Sequence, residues 1–97
     1  MDGIYQVSLG TPMGMEKGTM DVRADDGKLT GVFTIMGGRQ PISGTVTAEG
    51  FTFVGEMTHP MVGKVRYTVF GNVDGDTMKA VVKTNYGNFN MSGTKNS

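Results

Sequence analysis

The 97-residue sequence has no cysteine, no tryptophan, three prolines and a single histidine. Without cysteine there are no disulfides and no thiolate metal ligands, which excludes a disulfide-stapled scaffold for so short a chain. An excess of charge is missing too. Nine basic and nine acidic side chains cancel, so no net field draws the molecule to nucleic acid or to an anionic membrane. No apolar run approaches the ~20 residues a helix needs to cross a bilayer. Met1-Asp2-Gly3-Ile4-Tyr5 has neither the basic nor the apolar region of a secretory leader, and the expectation is a cytoplasmic protein. The length suits one domain spanning residues 1–97.

Glycine, by contrast, is abundant. Sixteen residues is more than twice the usual fraction of about 7%, and set among β-branched and aromatic residues it points to short strands with tight turns. One set of turn signals is acidic: Asp25-Asp26-Gly27-Lys28, Glu49-Gly50 and Asp74-Gly75-Asp76. The other is Thr11-Pro12-Met13-Gly14, Met36-Gly37-Gly38, His59-Pro60-Met61-Val62-Gly63 and Asn85-Tyr86-Gly87-Asn88. The two sets alternate along the chain, so an up-and-down meander places them at opposite ends.

Between the turns apolar residues recur at every second position, as half-buried strands require. The runs are Tyr5/Val7/Leu9, Met20/Val22, Leu29/Phe33/Ile35, Ile42/Val46, Phe51/Phe53/Met57, Val65/Tyr67/Val69, Met78/Ala80/Val82 and Phe89/Met91. No segment carries a helical apolar stripe. Gly18-Thr19, Gly44-Thr45, Gly71-Asn72 and Gly93-Thr94 recur at roughly 25-residue spacing, an internal repeat of hairpins. The expected fold is all-β: an eight-stranded antiparallel up-and-down barrel built from four hairpin repeats, which hides one apolar face and removes the sheet edges by closing. Glycines 18, 31, 44, 55, 71 and 93 fall on the inward phase. They serve either sharp coiling or ligand volume, and the large residues beside them favour coiling.

This arrangement resembles the calycin superfamily, the lipocalin-like barrels that hold small apolar ligands. The resemblance is architectural and covers nearly the whole chain. The Gly-x-Trp signature of lipocalins is absent, and no segment matches the helical lid of fatty-acid-binding proteins, so no family residue transfers to this chain. What the resemblance implies is a cup for a small molecule.

The end with the Pro-Met-Gly turns is the expected mouth. The inward phase brings Glu16, Gln40, His59 and Thr84 there, above Phe33, Phe53, Met57, Tyr67 and Phe89. Polar groups converging over an apolar cup form the usual small-molecule site. Lys17, Arg39 and Lys64 flank those turns, while acids dominate the other end, which favours an anionic ligand head at the mouth. A lone histidine tied to no nucleophile supports no catalytic pair. Met13, Met15, Met36 and Met61 lie on or beside the mouth turns. Thioethers suit Cu(I), but one histidine and no cysteine favour an adaptable apolar role, and neither metal nor cofactor is expected. Val32, Val54, Phe70 and Val81 interrupt the outward polar phase, the last three marking a candidate interface for a homodimer. The leading expectation is non-enzymatic binding of a small apolar or aromatic ligand, with or without an anionic group. The alternative is a packed barrel acting as an accessory or homo-oligomeric interaction module.

Overall fold

The structure, a computed structural model, describes residues 2–12, 14–35, 37–59, 61 and 63–96, without the side chain of His59. Period-two patterning yields strands throughout, in the order β1 (Gly3–Thr11), β2 (Gly14–Asp25), β3 (Lys28–Ile35), β4 (Gly38–Thr47), β5 (Gly50–His59), β6 (Gly63–Asp74), β7 (Thr77–Thr84) and β8 (Gly87–Lys95). Each pairs antiparallel with the next, and β8 returns to β1 through Tyr5–Leu9 against Lys95–Met91, closing the barrel. All eight strands expected from the sequence are present.

Local chemistry sets the turns. At the β2–β3 corner Asp26 and Gly27 both take positive φ, 53° and 78°, the backbone of a type I′ hairpin, whose twist matches that of the flanking strands. Three other corners share a Thr-x-x-Gly frame. The hydroxyls of Thr11, Thr47 and Thr84 donate to the carbonyls of Gly14, Gly50 and Gly87 at 2.7, 3.5 and 2.9 Å.

The inward phase forms one continuous core from Tyr5 and Leu9 on β1 round to Met91 on β8. The inward glycines leave no ligand volume, because their neighbours already occupy it. At Gly44 a Cβ would run into the Thr52 carbonyl and the Cα of Phe53, and at Gly55 into the phenol of Tyr67. Coiling and close approach account for both positions. The cup is accordingly shallower than the sequence suggests.

Candidate functional site

The site takes shape from where the ladders stop. β4 pairs with β5 only over Ser43–Thr47 and Val54–Gly50. Both strands then continue toward the mouth, β4 hydrogen-bonded to β3 as far as Gly38 and β5 to β6 as far as His59. Among the described residues Gly38–Ile42 and Gly55–His59 therefore face each other with no ladder between them. This seam in the wall lies at the end carrying the Pro-Met-Gly turns.

One side-chain bond spans the seam. The Tyr67 hydroxyl, from β6, passes over Gly55 of β5 and donates to Gln40 Oε1 on β4 at 2.7 Å. Gln40 Nε2 donates in turn to the carbonyl of Gly38 at 3.2 Å. Gln40 is the one buried polar side chain among the described residues, 6% exposed. A buried amide and a buried phenol each need a partner, and here each supplies the other's. Burial also pushes the Tyr67 phenol far above its ordinary 10.0, because the phenolate would lose its hydration in an apolar interior.

Below this bond the interior is filled. Phe33 meets Tyr67 and Phe53 edge-on, with ring centroids 6.0 and 6.4 Å apart, and Phe53 stacks on Phe51 at 6.0 Å. Phe33, Phe53 and Tyr67 are the floor of the site. Met57 on β5, beside the seam, and Phe89 on β8, across the barrel from it, are half-buried against the core. Glu16 is half-buried on the inward phase beside Leu9.

Two expected residues stand differently. The Thr84 hydroxyl is held by its own turn, donating to the Gly87 carbonyl and accepting from the Tyr86 amide, both at 2.9 Å. The backbone of His59 ends β5 opposite Gly63, and its side chain lies outside the described residues, as do Met13 and Met36. Tyr5, the other inward phenol, belongs to the opposite end: burial raises its pKa first, followed by Asp76 and Asp2. On the outer wall Phe70 and Val81 are direct cross-strand partners. Val54 lies one outward position along β5 from Thr52, the residue opposite Phe70. Phe70 is 47% exposed, carries Lys83 Nζ 5.3 Å from its ring centre, and borders a shallow outer concavity of about 680 Å³ shared with Asn72, Lys79 and Asn90.

No known protein family matches the chain, and no curated protein does. Solved structures do. A de novo designed fluorescence-activating β-barrel superposes with a TM-score of 0.68 over 99% of this chain and 94% of its own, at 13% identity. A redesigned β-barrel, mFAP1, bound to DFHBI, gives 0.65 over 98% and 94%, at 16% identity. The likeness is one of fold. The alternation places Tyr67 and Gln40 separately on the inward phase; their mutual bond and the seam it crosses have no signal, since neither stagger nor ladder length is written in residue type.

Removing that bond has a measurable signature. Tyr67→Phe is expected to cost about 1–2 kcal/mol at neutral pH, since Gln40 Oε1 loses its donor. It also changes the alkaline limb. An unfolded phenol ionises near 10.0 and the folded Tyr67 well above it, so between those values the unfolded state releases a proton that the folded state keeps. Stability present below pH 10 is thus lost as pH rises. Urea titrations from pH 8 to 11.5 should show a shallower loss in Tyr67→Phe, with Tyr5 supplying the remainder; parallel slopes would remove Tyr67 from this account.

Proposed function

We propose that the chain is a non-enzymatic binding protein for a small apolar or aromatic molecule with an anionic group, taken up at the seam between β4 and β5 in a lipocalin-like manner. The observation that carries this reading is the unladdered seam, bridged by the Tyr67–Gln40 bond above an aromatic floor. Phe33, Phe53 and Tyr67 are buried in the free chain, so a ligand reaches them by parting the Tyr67–Gln40 bond and spreading the seam. Met57 covers the ligand from β5, the thioether adapting to its shape, and Phe89 faces it from β8 across the barrel. Gln40 supplies an amide to the polar end, with His59 adjacent in the strand order. Lys64 stands beside the mouth as a cation, in an ion pair with Glu56 at 3.3 Å. The fold is shared with a redesigned barrel bound to DFHBI, which supports a barrel of this fold as a host for a small ligand.

The probe is 1-anilinonaphthalene-8-sulfonate, aromatic and anionic. Fluorescence titration should saturate at one dye per chain, and Phe89→Ala should weaken the dye about tenfold, the loss of one buried aromatic contact. Phe70→Lys, on the outer wall, should leave the titration unchanged. A dye response that follows Phe70 and ignores Phe89 would move binding outside the barrel.

The exposure of Phe70 beside Val81 favours a second reading, self-association through this outer face. Sedimentation of the parent and the same Phe70→Lys variant decides it, since monomers in both would end that reading.

A further inference from the structure

The overall charge is zero, but the meander sorts it along the barrel. Odd-numbered hairpins all turn at one end and even-numbered ones at the other. Within three residues of the turns at the mouth end stand Lys17, Arg39, Lys64, Arg66 and Lys83, opposed by Glu16 and Glu56, a net of +3. The rest of the barrel holds four cations against seven carboxylates, Asp25, Asp26, Asp74 and Asp76 among them, a net of −3. The mouth end also carries Met15, Met61 and Tyr86, which are 63%, 82% and 55% exposed. At the other end the exposed turn residues are Asp26, Gly27, Ala48, Glu49, Gly75 and Asp76.

We propose that the mouth end docks on an anionic lipid surface, with Met15, Met61 and Tyr86 entering the interface and the cations behind them meeting the headgroups. The order of layers matches a bilayer's. Met15 and Met61 come first, on β1–β2 and β5–β6 hairpins that overhang their neighbours, and Tyr86 follows on the shorter β7–β8 hairpin: β2 meets β3 only from Gly18 and β6 meets β7 only from Tyr67. On these two overhanging hairpins Lys17, Lys64 and Arg66 follow within about 10 Å, three residues at 3.3 Å rise, and Arg39 and Lys83 on the shorter hairpins stand further back, level with Thr19 and Thr68. An acidic protein surface offers the charge but no apolar layer beneath it. The acidic end does not cancel the attraction, because the molecule extends 37 Å along its long axis and electrostatic screening acts over about 8 Å. The barrel wall stays in water: its outward phase carries Asp21, Arg23, Thr45, Lys79 and Asn90, the reverse of the apolar outer band of a membrane-spanning barrel. Tyr86 has the amphipathic ring favoured at headgroup level. This docking is independent of the ligand reading, since it requires no occupied interior.

The test is co-sedimentation of the full chain with vesicles of phosphatidylcholine alone or with 30% phosphatidylserine. Binding is expected to the mixed vesicles in 0.1 M salt and to fall at least tenfold in 0.5 M salt or without the serine lipid. Near an anionic surface each cation is worth about fivefold in partition, so Lys17→Gln with Arg39→Gln should lose about 25-fold. Met61→Ser with Tyr86→Ser should weaken binding and keep the salt dependence. Lys28→Gln with Lys79→Gln, at the acidic end, should change nothing. All these side chains are exposed, and circular dichroism checks that each variant folds. No binding to the mixed vesicles, or equal loss in the acidic-end variant, would overturn the proposal. So would retention on immobilised polyglutamate without vesicle binding, which would assign the end to an acidic polymer.

Discussion

Gly44→Val is expected to destabilise the folded barrel severely. Gly44 faces the interior of β4 between Leu29 on β3 and Phe53 on β5. A Cβ at this position collides with the Thr52 carbonyl and the Cα of Phe53, both backbone atoms that cannot rotate away as a side-chain end could. The strand can yield only by leaving β5, and that ladder is five pairs long, Ser43–Thr47 with Val54–Gly50. It is the main-chain connection on one side of the seam, so losing it opens the cylinder and exposes the core. The expected cost is above about 4 kcal/mol, a large share of the 5–15 kcal/mol typical of a small domain. Gly37→Ala is the contrast. Gly37 has φ of +77° but open space where its Cβ would lie, so alanine there meets only the left-handed backbone penalty of about 1–2 kcal/mol. Far-ultraviolet circular dichroism in a urea series separates the two. A Gly44→Val midpoint within experimental error of the parent's would refute the close-approach argument for the inward glycines.

Phe33→Ala is expected to cost about 3–5 kcal/mol. Phe33 is 2% exposed and touches Tyr67 and Phe53 edge-on, so truncation removes a large apolar side chain and two ring contacts together. The space left lies under the Tyr67–Gln40 bond; the Gln40 amide on its edge is already bonded to Tyr67 and Gly38, and the rest of the lining is apolar. Such a cavity stays dry and accepts a small aromatic guest. Benzene added to Phe33→Ala should therefore raise its unfolding midpoint while leaving the parent's unchanged. Failure of benzene to stabilise a folded Phe33→Ala would mean that the floor collapses around the gap.

Much of the architecture was legible because it is encoded locally. Alternation as in Tyr5/Val7/Leu9 or Val65/Tyr67/Val69 reports which face of a strand is buried without reference to any other strand. Asp26-Gly27 reports a turn because few other residue pairs accept two positive φ angles in succession. Even the two chemically different ends could be read, since alternating turns in a meander must face opposite ways. The site was legible only in part. Phe33, Phe53 and Tyr67 were correctly placed on the inward phase, but as the walls of a cup, whereas they pack on one another as a floor. Thr84 was placed at the rim, and its hydroxyl is held by its own turn. That arrangement follows the Thr-x-x-Gly spacing shared with Thr11 and Thr47, a signal present in the sequence and read differently.

By itself, then, the sequence determined strand number, the buried phase, the turns and the division of acidic from basic ends, because each depends on residues within a few positions of one another. Only the tertiary structure decided where the β4–β5 ladder stops, that Tyr67 crosses Gly55 to reach Gln40 twenty-seven residues away, and that the inward glycines are filled by their neighbours. The physical reason is closure. Joining β8 to β1 imposes one tilt and one stagger on all eight strands together, and no local residue pattern specifies a quantity that belongs to the whole ring.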